Sequence, residues 1–331
     1  MKVLITGAAG FAGYNIVKSL LIHTNGINLY GMDNLCRKGS ELNIPLLKKL
    51  DVKFWRADIR SQSDVDAFPH VDWVIDCAAN PSVLAGLDGQ SSSKQLMDHN
   101  LLGTINLLEY CKNHQAGLIL LSTSRVYSAY ELANLPVESR NDRYEPQTNE
   151  IEGISDLGIS ESFATHSPVS LYGASKLASE TLILEYGHCF DFPVWINRCG
   201  VLAGAGQFGK ADQGIFSYWI HSFREKKPLK YIGFNGTGHQ VRDALHPKEL
   251  VPLLSRQMME PNRDAPKIIN LGGGIANSMS LQELSLWCED RFGQNDILSS
   301  SEERSMDAPW IVMDSSISQN AWDWSVKTKL E

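Results

Sequence analysis

Seven residues near the start, Gly7-Ala8-Ala9-Gly10-Phe11-Ala12-Gly13, limit what the chain can become more than any other stretch. They follow Lys2–Thr6, a run of β-branched residues and leucine, and open Phe11–His23, whose apolar residues recur at helical spacing. Closely spaced glycines between a strand and a helix let the backbone turn tightly and approach a ligand. The helix N-terminus then offers free N–H groups and a partial positive charge to a pyrophosphate. The spacing is GxxGxxG, and strand, turn and helix together predict the first unit of a dinucleotide-binding α/β sheet. Gly7, Gly10, Phe11, Ala12 and Gly13 are the candidate cofactor-cradling residues.

The rest of the first half repeats the alternation. Asn28–Met32, Val52–Arg56, Trp73–Cys77 and Leu118–Ser122 read as further strands, and 94–113 reads as one long helix. Ser170–Phe190 reads as a helix and Val194–Asn197 as a strand. Apolar strands alternating with helices predict a parallel, doubly wound sheet covered on both faces. Residues 128–168 are polar and without periodicity, which predicts a long functional loop such as a substrate lid. The last third mixes short elements, with a capping box at Ser280-Leu-Gln-Glu283 before the apolar residues Leu284, Trp287 and Cys288. The expected organisation is a Rossmann-type domain over 1–200, with some later segments returning to it, and a smaller lobe made mainly of 201–331.

Charge and cysteine usage narrow the function classes. The 331 residues carry a formal net charge of −8, which argues against nucleic acid or an anionic membrane as partner. No run approaches the length of a membrane span or a signal h-region. Six scattered cysteines without a CxxC pair fit free thiols in a cytoplasmic enzyme, and nine dispersed histidines without HExxH predict no metal site.

Two further groups carry chemistry. Asp33 ends the second strand twenty residues past Gly13, where a carboxylate can hold both ribose hydroxyls and repel a 2′-phosphate, favouring NAD over NADP. Asn34 follows it, and Arg37 and Lys38 could attract a phosphate. Asp58 and Ile59 end the third strand, where adenine would lie, and Ala78 and Ala79 end the fourth, where small residues let the dinucleotide pass. Tyr172-Gly-Ala-Ser-Lys176 puts a phenol and an ammonium on one helix face. A lysine cation and a positive nicotinamide ring both favour phenolate, so Tyr172 is expected to act as base with a lowered pKa. Thr123, at the end of the preceding strand, would hydrogen-bond the same substrate oxygen.

These residues, with Asn100, Gly103-Thr-Ile-Asn-Leu-Leu-Glu109, Ser122–Tyr127 and Arg242, resemble the extended short-chain dehydrogenase/reductase family over nearly the whole chain. Members act on nucleotide-diphosphate sugars as epimerases, dehydratases or decarboxylases. The resemblance implies NAD as cofactor, with Asn100, Tyr172 and Lys176 against it. It also implies a C-terminal substrate lobe and a homodimer through helices 94–113 and Ser170–Phe190. Asp33-Asn-Leu-Cys-Arg-Lys-Gly39, Arg143-Tyr144, His166-Ser-Pro168, Gln207-Phe208, Asp212-Gln-Gly214, Gly238–His246, Asn270–Gly274 and Asn277-Ser278 further resemble the CDP-paratose (CDP-tyvelose) 2-epimerases. On that resemblance Ser124, Arg125, Gln207 and Arg242 are substrate-binding, and Arg242 pairs with the diphosphate. Asp76 departs from the family, which usually has histidine there. Ser128 replaces a glycine, and Arg198-Cys-Gly lacks the usual Asn.

The family's dehydratases place an Asp-Glu pair just after the threonine, and its decarboxylases a glutamate. Here the positions are Ser124-Arg125, which supply no acid. Epimerisation by transient oxidation to a keto sugar needs only a base, a hydride acceptor and room for the ketose to turn. The expectation is therefore an NAD-dependent nucleotide-sugar epimerase acting on a CDP- or UDP-sugar, in the manner of the 2-epimerases. The alternatives are a UDP-hexose 4-epimerase and, from another class, a non-catalytic dinucleotide-binding protein.

Overall fold

Seven strands lie side by side: β1 (Lys2–Thr6), β2 (Asn28–Asp33), β3 (Lys53–Arg56), β4 (Trp73–Asp76), β5 (Gly117–Thr123), β6 (Val194–Cys199) and β7 (Ile268–Leu271). All neighbours pair in parallel, in the order β7-β6-β5-β4-β1-β2-β3. The computed structural model describes residues 1–87, 89, 92–147, 151–210, 213–304 and 306–330. The order reverses between β1 and β4, so the chain leaves these strands in opposite directions and opens a crevice at their carboxyl ends.

Six of the seven strands are largely buried because helices cover both faces, and the edge strand β3 is exposed at three of its four residues. α1 (Phe11–His23) and Val251–Met259 pack on one face around Val3, Ile5, Ile16, Leu20, Trp195 and Leu254. α2 (Gly103–His114) and α3 (Ser170–Phe190) pack on the other around Leu4, Leu107, Leu118, Ile183 and Ile196. Each such fully buried aliphatic side chain contributes roughly 1.5–3 kcal/mol. A second, smaller sheet centres on Val241–Leu245, which pairs in parallel with Val201–Leu202 and Trp310–Ile311 and antiparallel with Ser278–Ser280. Helices Ile215–Arg224 and Leu281–Phe292 close over it around Trp219, Phe223, Leu284 and Cys288. The capping box forms: Glu283 N–H donates to Ser280 Oγ at 3.0 Å, and Ser280 N–H donates to Glu283 Oε2 at 2.7 Å.

Two stretches differ from the sequence expectation. The single helix expected over 94–113 is Ser93–Met97 and α2 joined by a π-helical turn, Asp98–Leu102. Apolar periodicity does not register one added residue in a turn. Residues 128–168 are not a structureless lid. They hold a helix, Ala129–Ala133, a hairpin of Val137–Arg140 with Arg143–Pro146, and a short ladder of Ile154–Ser155 with Gly158–Ile159. Asn141 and Asp142 both take positive φ at the hairpin tip, the conformation that Asn and Asp tolerate best. Leu132, Leu135, Ile159 and Phe163 then pack on Trp310, Val312 and Met313 as a third core.

Among the described residues no helix is long and apolar enough to cross a membrane, and no group of His, Cys, Asp and Glu could hold a metal ion. All six cysteines are free thiols.

Candidate functional site

The glycine loop sits at the carboxyl end of β1, against the crevice. A Cβ on Gly13 would lie 2.2 Å from the Gly7 carbonyl oxygen, so only glycine lets α1 approach the loop this closely. Gly10 caps α1 without any side-chain hydrogen bond, which leaves the first N–H groups of the helix to a ligand. Phe11 meets the His246 ring of the lobe edge-on, with centroids 6.2 Å apart. Ala12 follows on the first turn of α1.

Asp33 closes β2 with Oδ2 turned toward the glycine loop and Oδ1 toward its own following turn. Ala9 N–H donates to Oδ2 at 3.0 Å and Leu35 N–H to Oδ1 at 2.8 Å. Burial raises the Asp33 pKa, and these backbone donors oppose it. Asn34 donates to Asp58 Oδ2 at 3.0 Å, and Asp58 also pairs with Arg60 at 2.7 Å. Ile59 packs on Gly103 of α2, and Asn106 donates to its carbonyl at 2.7 Å. Ala78 N–H donates to both Thr6 Oγ1 and Asp76 Oδ1 at 3.2 Å, while Ala79 is exposed.

Arg37 reaches out of this region into the lobe. It donates to Gln213 Oε1 at 2.6 Å and to the Phe208 carbonyl oxygen. The Phe208 ring packs directly on Gly39, where a Cβ would lie 2.7 Å from it. Together they bridge the segment after β2 to the lobe.

The π-helical turn places Asn100 at the other side of the crevice. Asn80 N–H donates to Asn100 Oδ1 at 2.8 Å, and Asn100 Nδ2 donates to the Asn80 carbonyl at 3.2 Å and to Ser175 Oγ at 3.0 Å. The Asn100 carbonyl, freed from the regular helical ladder, accepts from Thr104 Oγ1 at 2.8 Å. Asn100 thus ties the end of β4 to α3.

α3 carries the phenol and the ammonium. A Cβ on Gly173 would lie 2.1 Å from the Arg125 carbonyl oxygen, so this glycine lets the first turn of α3 press against 123–125. The Thr123 hydroxyl hydrogen-bonds the Tyr172 phenol. Tyr172 is 7 % exposed and Lys176 1 %. Burial pushes the phenol up to about 12, against the Thr123 hydrogen bond and the Arg125 charge. Burial also lowers the Lys176 pKa, opposed by Asp76 and Glu180. The expected depression of Tyr172 by Lys176 is therefore not what the chain's own groups produce: desolvation wins.

Beneath the pair lies a buried network that the sequence pattern did not reveal. Arg198 on β6 forks onto Glu180 one turn past Lys176, with contacts of 2.7 and 3.2 Å. Ser122 donates to the same carboxylate at 2.5 Å, and Tyr127 donates to Asn270 at 2.7 Å beneath the Arg198 guanidinium. Arg198 is thus a strut between α3 and the sheet.

The candidate substrate residues divide. Arg125 donates to the Met306 carbonyl at 3.2 Å, and Arg242 donates to Asp307 Oδ1 at 2.6 Å and to the Ala308 carbonyl at 2.8 Å. Burial, then the repulsion of Arg242, pulls Arg125 down to about 10. Arg304 repels both. Three cations thus surround one carboxylate beside Tyr172. Arg304 and Asp307 were not singled out from the sequence, because a loop without periodicity gives them no context. Gln207 stands apart, donating to the Leu202 carbonyl at 2.8 Å and accepting from Ser217 at 2.9 Å inside the lobe. Ser124 is buried in the turn after β5. Asp212 lies outside the described residues.

A doubly wound sheet with a glycine loop at its switch point and a tyrosine–lysine pair one helix away defines a dinucleotide-dependent enzyme. The chain belongs to the NAD dependent epimerase/dehydratase family, which matches residues 3–272. It is 30 % identical to the CDP-paratose 2-epimerase of Salmonella typhi over 99 % of this chain and 95 % of that one. It is 29 % identical to the UDP-glucuronate 4-epimerase of Thermodesulfobacterium geofontis over 85 % and 77 %. Among solved structures, the Bacillus cereus UDP-glucuronic acid 4-epimerase in complex with UDP-glucuronic acid and NAD superposes with a TM-score of 0.79. It covers 100 % of this chain and 95 % of that one at 24 % identity. The chain is accordingly an NAD-dependent enzyme of the nucleotide-sugar epimerase/dehydratase type.

Proposed function

We propose that the chain epimerises a CDP-sugar of the paratose/tyvelose kind at C2, by transient oxidation and re-reduction. The observation that carries the nucleotide-diphosphate reading is the excess of positive charge at Arg125, Arg242 and Arg304 over Asp307, next to the phenol. A diphosphate is the dianion such a cluster suits, and a guanidinium fork suits phosphate oxygens. Similarity to the Salmonella enzyme over almost the full length supports cytosine and C2.

NAD, held between the glycine loop and Asp33, supplies a hydride acceptor and donor when bound. Tyr172 takes the proton of the sugar hydroxyl, with Thr123 aligning the same oxygen. Lys176 lies one helical turn away, where its charge stabilises the phenolate. A phenol at about 12 is neutral at pH 7, so proton abstraction depends on the positive nicotinamide as well as on Lys176. Ser124 and Arg125 offer no acid/base pair for elimination of water, so the keto sugar has one exit: rotation and return of the hydride to the other face. A homodimer through Ser93–Met97, α2 and α3 belongs to the same reading, and sedimentation reading a monomer would remove it.

The test is turnover with CDP- and UDP-sugars differing at C2 and C4, in deuterated water. The expected outcome is inversion at C2 of a CDP-sugar without solvent deuterium at that carbon. Inversion only at C4 of a UDP-sugar would replace the reading by the 4-epimerase one.

A further inference from the structure

A small cavity adjoins the chemical pair, and most of its wall is apolar. Leu132 comes from the segment after β5, Val169 from the start of α3, Met306 and Ala308 from the loop before Trp310, and Val83 from the segment after β4. Leu132, Val169 and Ala308 are buried, and Val83 and Met306 are half-buried. The cavity measures about 10 Å³, room for one group the size of a water molecule or a methyl.

The polar residues that complete the wall are Arg125, Tyr127 and Ser170, and each already has a partner. Tyr127 donates to Asn270 at 2.7 Å, Ser170 Oγ accepts from Gly173 N–H at 3.1 Å, and Arg125 donates to the Met306 carbonyl at 3.2 Å. A water held in such a space needs about two to four polar partners, so an apolar group suits it better. Two wall residues also hold disfavoured backbone. Ser170 has φ of 71° and Met306 of 59°, left-handed values for residues that carry a side chain. Such conformations persist where surrounding contacts impose them, and they gather at ligand sites.

The position ties the cavity to the sugar. Arg125 stands two residues past Thr123, and Ser170 two residues before Tyr172 on the first turn of α3. A ring whose hydroxyl sits on Thr123 and Tyr172 therefore has this cavity beside it.

We propose that the cavity is the subsite for a methyl group on the sugar ring, and that Val83, Leu132 and Ala308 make the protein selective for 6-deoxy sugars over their 6-hydroxy counterparts. This rests on the nucleotide-sugar reading above, but not on which base or which carbon reacts. A methyl fills the space and displaces no hydrogen bond. A hydroxymethyl group brings one further heavy atom against the buried Leu132 and Ala308 side chains, and its hydroxyl gives up water for a mainly apolar wall.

The test uses NAD-loaded protein and two CDP-sugars of one configuration, differing only in a methyl or a hydroxymethyl group at C5. The methyl sugar is expected to show a kcat/KM about 10- to 100-fold higher, the discrimination a small apolar pocket gives. Equal use of the two overturns the proposal. Leu132→Ala widens the cavity and should lower the ratio about 10-fold, mainly by improving use of the hydroxymethyl sugar. If that variant does not fold, Val83→Ala, at a half-buried position, tests the same wall. A ratio unchanged in the variant that folds overturns the assignment of selectivity to this cavity. Failure of the proposed function is read separately. If only UDP-sugars turn over, the same pair is compared in that series; if none does, calorimetric Kd values for the pair replace rates. Preference for the methyl sugar there sustains the inference while the proposed reaction falls, and equal affinity overturns it.

Discussion

The phenol–ammonium group and the arginine cluster adjoin each other but are built in opposite ways. Tyr172, Lys176, Thr123 and Asn100 sit on α3, on β5 and in the π-helical turn, and Asn100 and Thr123 are held by hydrogen bonds already made within the chain. Arg125, Arg242 and Arg304 come from a short turn after β5, a strand of the small sheet and a loop, and Arg242 pairs with one carboxylate from that loop, Asp307. The first region has its geometry before any ligand arrives. The second is a set of like charges whose spacing an arriving dianion would complete. Chemistry that must be exact is placed on rigid elements, and binding that must open and close is placed on loops.

Four substitutions can break or sharpen that contrast. Tyr172→Phe is expected to lower turnover about 10³-fold, within the range of general acid–base catalysis, while leaving NAD bound in the purified protein. Turnover near wild type would remove the phenol from the mechanism. Glu180→Gln leaves the buried Arg198 charge without its partner, and denaturant unfolding should show a loss of about 3 kcal/mol. A loss well under 1 kcal/mol would mean that the α3 platform does not depend on this strut. Arg242→Ala removes a charged hydrogen-bonding fork, so the substrate KM should rise about 10- to 100-fold with kcat nearly unchanged. A fall in kcat alone would place Arg242 with the rigid region instead.

The smallest effect belongs to Asp243, next to Arg242 but fully buried. Burial raises its pKa from 3.8 to about 6, against donors that include Met313 N–H and Gly274 N–H. The folded chain then holds this proton more tightly than the unfolded chain. The stability it confers is complete below about pH 4 and is lost as pH rises through about 6. Asp243→Asn should flatten the pH dependence of unfolding free energy in that window, and an unchanged slope would show that another group titrates there.

What the sequence disclosed follows the same division. β1, α1 and α3 run over the stretches their periodicity predicts, because contiguous spacing decides them. Gly7–Gly13, Asp33, Tyr172 and Lys176 were legible for that reason: each is fixed by its distance from a strand end or a helix partner. The NAD-dependent epimerase family and its cofactor followed from them. Arg304 and Asp307 were not legible, since their meaning arises only when Val241–Leu245 and the loop before Trp310 meet. The hairpin at 137–146 was hidden by polar strands of four residues, too short for alternation to show. Arg198 became intelligible only with Glu180 in front of it.

The bridge from Arg37 and Gly39 to Gln213 and Phe208 has a consequence for how such an enzyme lives among others. A dinucleotide lying along Asp33 would be fastened under a strap that joins sheet to lobe at its adenosine end. A reaction that returns every hydride it borrows has no reason to let its carrier go. Under the proposed epimerisation the cofactor behaves as a fixed part of the protein, and the rate becomes indifferent to the ratio of oxidised to reduced nicotinamide in the surrounding solution.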